Sequence, residues 1–326
     1  MIRILSLGVA WLLVSATATA QGDPRSFTFD YRTTIGPIEA DAGPLHVWIP
    51  LAASSDAQRV GGESIDASIP GGIETEDIYG NRFWHGTLAE PAGQTVTVAV
   101  TTTVERSVAR HRPTSQSAGL LETKRASFEP FLGSNARVVV NHPILTPIRE
   151  EVIRAAASDD KATLARAIYD WVVDHVEYKK VGTGWGNGDT FWACNERYGN
   201  CTDFHALFIS LARSEGIPAR FEIGFPVPED RPAGEIGGYH CWVEFYLPET
   251  GWFPVDASEA SKHPEKRELF YGSQPADRIH FTTGRDLQLG PDHQSGPLNY
   301  FVYPHVEVGG IAWQGPVERE FSYRDQ

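Results

Sequence analysis

Positive charge is what this 326-residue chain is short of: 28 Lys and Arg stand against 42 Asp and Glu, for a formal net charge of −14 at pH 7. An acidic surface of that size repels nucleic acid and anionic membranes, so neither is an expected partner. Cysteine is scarcer, with three residues, which excludes a disulfide-built scaffold. Repeats and low-complexity tracts are missing, and with them solenoid and disordered architectures. Past the first twenty residues no apolar run reaches membrane-spanning length. What is there is ordinary globular material, 41% apolar and 21% charged, in enough length for two domains.

The segment 1–20 carries a single charge at Arg3, an apolar stretch over 4–14 and Ala18-Thr19-Ala20 ahead of Gln21. That is the pattern of a signal peptide with a small-residue cleavage site, too short to span a membrane stably. It predicts export, periplasmic or secreted, after cleavage near Ala20, with no membrane anchor. Residues 21–105 alternate in short stretches split by Gly and Pro, such as Phe27-Thr-Phe-Asp-Tyr31, and read as an all-β, sandwich-like domain. Periodicity is weak over 106–143, a connecting segment, and 144–326 reads as an α+β domain. Helices are predicted over 147–157 and 162–176, the second with Leu164, Ile168, Trp171, Val172 and His175 on one face.

The α+β domain holds the chemistry. Phe204, Leu207, Phe208 and Leu211 recur at helical spacing, so 201–215 reads as an amphipathic helix closed by Gly216 and Pro218. Cys201 falls in its first turn, where unpaired backbone N–H groups and the positive end of the dipole favour a thiolate and could hold an oxyanion. The stretch 219–225 alternates like a half-buried strand. A second strand over 239–247 puts Tyr239, Cys241, Val243, Phe245 and Leu247 on its apolar face, leaving His240, Trp242 and Glu244 on the other. A turn at 248–251 returns the chain through Trp252 to Asp256.

Cys, His and Asp in that order are the parts of a thiol nucleophile, its base and the group that orients the base. Hairpin register decides whether they meet. Pairing Leu247 with Trp252 puts Asp256 on the wrong face, whereas pairing Leu247 with Gly251 sets it opposite Trp242, a same-face diagonal neighbour of His240. The second register is predicted, with an odd loop or a bulge near Gly251.

The strings Tyr-Gly-Asn-Cys201-Thr-Asp-Phe, Ala-Arg-Ser-Glu-Gly-Ile-Pro-Ala-Arg220, Gly-Tyr-His240-Cys-Trp-Val-Glu and Gly-Trp-Phe-Pro-Val-Asp256 resemble the transglutaminase-like superfamily of papain-like cysteine enzymes. The resemblance covers about residues 160–260. It implies a fold in which helices pack on an antiparallel sheet, and a catalytic triad of Cys201, His240 and Asp256. The implied reaction is acyl transfer from an amide through a thioester, ending on an amine (cross-linking) or on water (peptide or isopeptide hydrolysis). The implied partner is a protein or peptide substrate, cell-wall peptide included. No acidic loop of EF-hand type is visible, so no calcium requirement follows, and no metal or cofactor is expected.

Several residues around this frame carry second readings. Asn195, six before Cys201, has the spacing of a side-chain oxyanion donor in papain-like enzymes, with a cap or turn as the plainer role. The Gly-rich stretch 181–189 is a flexible loop and no phosphate loop, since no Gly-Lys-Ser/Thr follows it. Trp185, Trp192 and Trp242 are candidates for lining a substrate groove, and Trp242 also for shielding the His–Asp pair from water. His205, one turn after Cys201, competes with His240 as base and is better read as packing. Asp203 is read as complementing the helix dipole.

If Cys201 is the free nucleophile, Cys194 and Cys241 are left either to form a disulfide or to stay buried thiols. A zinc site from Cys201, His205, His240 and Cys241 fits poorly, because adjacent His240 and Cys241 point to opposite strand faces. A non-catalytic protein- or peptide-binding module on the same scaffold is the alternative function. The last seventy residues, with an apolar strand over 300–308, are expected to extend the catalytic sheet. His263, His280, His293 and His305 are read as surface or turn residues.

Overall fold

The computed structural model describes residues 24–39, 43–110 and 125–326. The signal peptide expected at 1–20 lies outside these residues, as does 111–124 of the expected connecting segment. Among the described residues no helix is long and apolar enough to cross a membrane.

Counting strands of three or more residues, the N-terminal part supplies β1 (Arg25–Ile35), β2 (Leu45–Pro50), β3 (Gln58–Ala67), β4 (Gly71–Thr75), β5 (Arg82–Leu88) and β6 (Val96–Arg106). β1 and β6 alternate buried with less buried side chains and pair antiparallel from Arg25↔Arg106 to Ile35↔Val96. The α-helices follow as α1 (Thr146–Ala156), α2 (Lys161–His175), α3 (Thr190–Glu196), α4 (Cys201–Ser214) and α5 (Ala257–Lys262). Interleaved with and after them run β7 (Ala219–Pro226), β8 (Ala233–Glu235), β9 (His240–Leu247), β10 (Gly251–Val255), β11 (Arg278–Thr283), β12 (His305–Val308) and β13 (Val317–Asp325).

Three antiparallel sheets result. A four-stranded sheet in the order β10-β9-β7-β11 backs α4, with Phe208 and Phe245 in ring contact at 5.9 Å. A five-stranded sheet runs β8-β13-β1-β6-β3, and a second joins β12, β2, β5 and β4 with the short Ile311–Ala312 piece at its edge. Phe29 and Tyr31 of β1 meet Phe225 of β7 at ring distances of 5.4 and 6.3 Å. The β module and the helical half therefore share one core, each buried ring contributing roughly 1.5–3 kcal/mol.

The α+β class holds, and the helices form within a residue of their expected bounds. Four expectations change. The last seventy residues divide: β11 does join the four-stranded sheet behind α4, but β12 pairs with β2 and β13 with β1, completing the β module. The strand expected over 300–308 forms only from His305, because Pro304 has no N–H to give to a ladder. His175 sits exposed, stacked on Trp171 at 4.4 Å, instead of on the buried face of α2. And neither α4 nor β7 is half-buried. Every side chain of α4 is buried, and Glu222 of β7 is buried against Arg220, His280 and Thr283 at 2.6–2.7 Å.

Candidate active site

Cys201 owes its position to its neighbours. The Asn200 side chain accepts from Thr202 N–H at 2.9 Å while the Asp203 carboxylate accepts from Asn200 N–H at 3.0 Å, a reciprocal cap that fixes the first turn of α4. Asp203 also accepts from the N–H groups of Gly186 and Gly188 at 2.7 and 3.0 Å, so it ties the Gly-rich loop to the cysteine's helix as well as facing the dipole. Burial raises its carboxyl pKa, and these three N–H groups pull it back. Gly199 is required beside it: a Cβ there would stand 2.2 Å from Asp203 Oδ2.

The hairpin supplies the other two residues. β9 and β10 pair from Leu247↔Gly251 to Val243↔Val255, the register that sets Asp256 opposite Trp242. Gly251 closes the three-residue loop with φ +81, a conformation glycine adopts without penalty. His240 Nε2 then lies 2.6 Å from Asp256 Oδ2, and the same ring hydrogen-bonds the Cys201 thiol. Asp256 is fully buried and accepts further bonds from Ser258 Oγ, Glu259 N–H and Arg278 Nη1 at 2.9, 2.9 and 3.0 Å. Burial pushes its pKa up, but the His240, His205 and Arg278 charges hold it well below the carboxylate range.

This electrostatic arrangement makes an ion pair. Burial opposes a thiolate at Cys201, yet hydrogen bonds from Cys241 and His240 and the charge of His240 depress its pKa well below the ordinary thiol value. Burial likewise opposes an imidazolium, and Asp256 overcomes it, raising His240 to about 10. Cys201 is 2% exposed and His240 6%, so the pair sits out of bulk water.

Residues 149–257 match the sequence profile of the transglutaminase-like superfamily. That segment, about a third of the chain, is transglutaminase-like. An uncharacterized protein of Haemophilus influenzae is 31% identical over 191 residues, covering 49% of this chain and 52% of that one. A protein-glutamine gamma-glutamyltransferase of Pseudomonas aeruginosa is 31% identical over 168 residues, 49% of this chain and 24% of its own length. The chain thus spans about half or less of these curated relatives. A solved Cytophaga hutchinsonii structure, provisionally assigned as a cysteine protease, superposes with a TM-score of 0.58 over 94% of this chain and 99% of its own, at 18% identity. That likeness extends the shared fold to the β module.

The transglutaminase-like segment accounts for the remaining candidates unevenly. His205 is buried behind the triad with Nδ1 3.5 Å from Cys241 Sγ and Nε2 3.6 Å from Asp256 Oδ1, so it packs against the pair's supports. Cys194 and Cys241 are both free thiols: Cys241 faces Cys201, while Cys194 is held in α3, its pKa pushed to about 11 by burial. Trp242 is 2% exposed and lines no groove; it stacks beside His240 with ring centroids 6.4 Å apart and so walls the His–Asp pair. Asn195 lies exposed near the end of α3 among Arg137, Phe191 and Glu196, apart from the buried cluster. Trp185 and Trp192 are half-buried with their indole N–H groups donated to the carbonyls of Gly182 and Tyr198.

Sequence reasoning passed over Tyr239, Tyr300 and Arg278. The Tyr239 hydroxyl accepts from Nδ2 of Asn200, the residue before Cys201, at 3.0 Å, and its pKa is raised by burial and then by the Cys201 charge. Tyr300 packs on Tyr239 at 5.5 Å. The string Gly-Tyr-His240 carried a signal for Tyr239, but Tyr300 and Arg278 come from distant segments with no motif to mark them.

Proposed function

We propose that this protein is a cysteine acyltransferase or peptidase acting on amide bonds of a protein or peptide, cell-wall peptide included. The observation that carries the reading is the unbroken chain Asp256–His240–Cys201, with the thiol depressed and the imidazole raised in pKa. The Cys201 thiolate attacks an amide carbonyl, and the first-turn N–H of α4 together with the Tyr239 hydroxyl receives the oxyanion. The His240 imidazolium gives its proton to the leaving amine, leaving a thioester on Cys201. His240, now neutral, takes a proton from the acceptor, an amine or water, as that acceptor attacks the thioester. Asp256 holds the ring so that Nε2–H faces the carboxylate and Nδ1 faces sulfur throughout. The gamma-glutamyltransferase relative favours an amine acceptor. Export to the periplasm or beyond belongs to the same proposal, with the Ala20 cleavage site as its support.

The nearly closed thiol favours one second reading, a binding module that keeps the scaffold without turnover. Iodoacetamide labelling against pH, read by peptide mass spectrometry, separates the two. Rapid labelling of Cys201 near pH 6 that falls about a hundredfold or more in His240→Ala is expected of the enzyme. Labelling confined to pH above the ordinary thiol pKa, or equal rates in both proteins, would overturn it.

A further inference from the structure

Far along the chain from the triad, the second five-stranded sheet presents an unusual row of side chains. Trp48 of β2 pairs with His85 of β5 on one side and His305 of β12 on the other, and His46 pairs with Glu307, so all five share one face. Trp48 is wholly buried there in a small apolar cluster with Phe83, Leu287, Leu289 and Phe301. Imidazoles at the margin of such a cluster need partners, and their partners fix their tautomers.

His85 is 7% exposed, with Nδ1 3.0 Å from Glu74 Oε1. A carboxylate only accepts, so Nδ1 carries the proton and Nε2 presents a lone pair. That lone pair faces His46 Nδ1 at 3.1 Å, and a ring nitrogen of each histidine lies within 4.8 Å of an Asp292 carboxylate oxygen. Two imidazole nitrogens on one tetrahedral zinc stand about 3.3 Å apart, given bonds of roughly 2.0–2.1 Å. The neighbouring triple works differently. His293 Nδ1 accepts from Leu289 N–H at 3.1 Å, so its proton sits on Nε2, while Glu307 accepts from Gln294 and Ser295 N–H at 2.9–3.1 Å. Glu307 thereby clamps the loop that carries Asp292.

We propose that His46, His85 and Asp292 bind a divalent zinc-type cation, with Glu74 orienting His85 from behind. Two imidazoles and one carboxylate suit zinc, and suit calcium or magnesium poorly, since those want oxygen ligands. A carboxylate behind a ligating histidine is the usual support of such a site. The ion would join β2 and β5 to the 284–301 segment, whose far end brings Tyr300 to the thiol.

The competing account is a plain hydrogen bond from His46 to His85, which has no use for Asp292. The test uses the full chain carrying Cys201→Ser, so that the thiol contributes nothing, stripped with EDTA and titrated with Zn²⁺, then with Co²⁺ for its visible spectrum. Expected are one zinc per chain, cobalt bands without thiolate charge transfer, a loss of roughly ten- to a hundredfold in affinity with Asp292→Asn, and no stoichiometric binding with His46→Gln. Asp292 is exposed, so its variant leaves folding untouched. Unchanged affinity in Asp292→Asn, a thiolate band, or no stoichiometric binding by the parent would overturn the proposal.

Discussion

Two places in this molecule string a carboxylate, an imidazole and a third group in a line: Asp256–His240–Cys201 on the catalytic sheet, and Glu74–His85–His46 on the β module. In both, the carboxylate lies 2.6–3.0 Å from one ring nitrogen and leaves the other to work. The difference lies in burial and in the third group. Asp256 is wholly buried and cross-tied to Arg278, whereas the Glu74 side chain is 46% exposed. On the two proposals above, a thiol opposite a buried, ionised pair serves as a nucleophile, while a second imidazole opposite a water-accessible pair serves as a ligand. The third atom, and the water around the first, decide the chemistry.

The comparison is broken hardest at Asp256. Asp256→Asn should lower acyl transfer or Cys201 labelling by roughly 10³-fold or more, because the amide can donate to Nε2 and favour the wrong tautomer. It should also cost about 3–5 kcal/mol in urea unfolding, since His240 and Arg278 lose their buried common charge partner and Arg278 keeps only the partly exposed Asp277. The same readouts should be indifferent to Glu74→Gln.

A pH series sharpens the contrast. His240 is raised to about 10, so its stabilising contribution is full below its unfolded value of 6.5 and is lost as pH rises through 10. Cys201 is depressed, so its contribution is full above the unfolded value of 9.0 and is lost as pH falls through its lower folded value. Unfolding free energy attributable to the pair should therefore be flat between about pH 6.5 and 9 and fall on either side. Turnover should drop about tenfold per unit above pH 10, where the imidazolium that protonates the leaving amine is gone. Loss of that upper limb in Asp256→Asn would tie it to His240.

Smaller effects follow. Glu74→Gln should weaken zinc binding by roughly tenfold while Cys201 labelling stays as it was. Cys241→Ala removes one hydrogen bond that lowers the Cys201 pKa, and should slow labelling at pH 6 by roughly two- to tenfold.

Much of the catalytic half was legible because its signals are local. The alternation of β9, the turn glycine and the cysteine at a helix start together fixed a register, and the register brought Asp256 to His240. What was not legible depends on partners far away in sequence. The buried polar side chains of α4 are satisfied from outside it, Asp203 by the Gly186 and Gly188 amides and Arg213 by the carbonyls of Gly133 and Ala219. Asn195 could not be placed by counting six residues, since Arg197 turns left-handed at φ 58 and redirects the chain after α3. Whether Cys241 pairs with Cys194 or stays a buried thiol is open in the sequence, and the fold decides for the free thiol. His46 and His85 lie 39 residues apart, and only the pairing of β2 with β5 makes them neighbours.

β13 lies between β1 and β8, and Phe27 pairs with Asp325 across almost the whole chain. During synthesis β1 must therefore wait with one edge open until residues 317–325 have emerged, since no earlier strand takes that place. Phe225, which backs the catalytic sheet, packs on Phe321 of that late strand at 4.4 Å. The order of manufacture thus acts as a clock, in which the thiol is made more than a hundred residues before the strand that seals its surroundings.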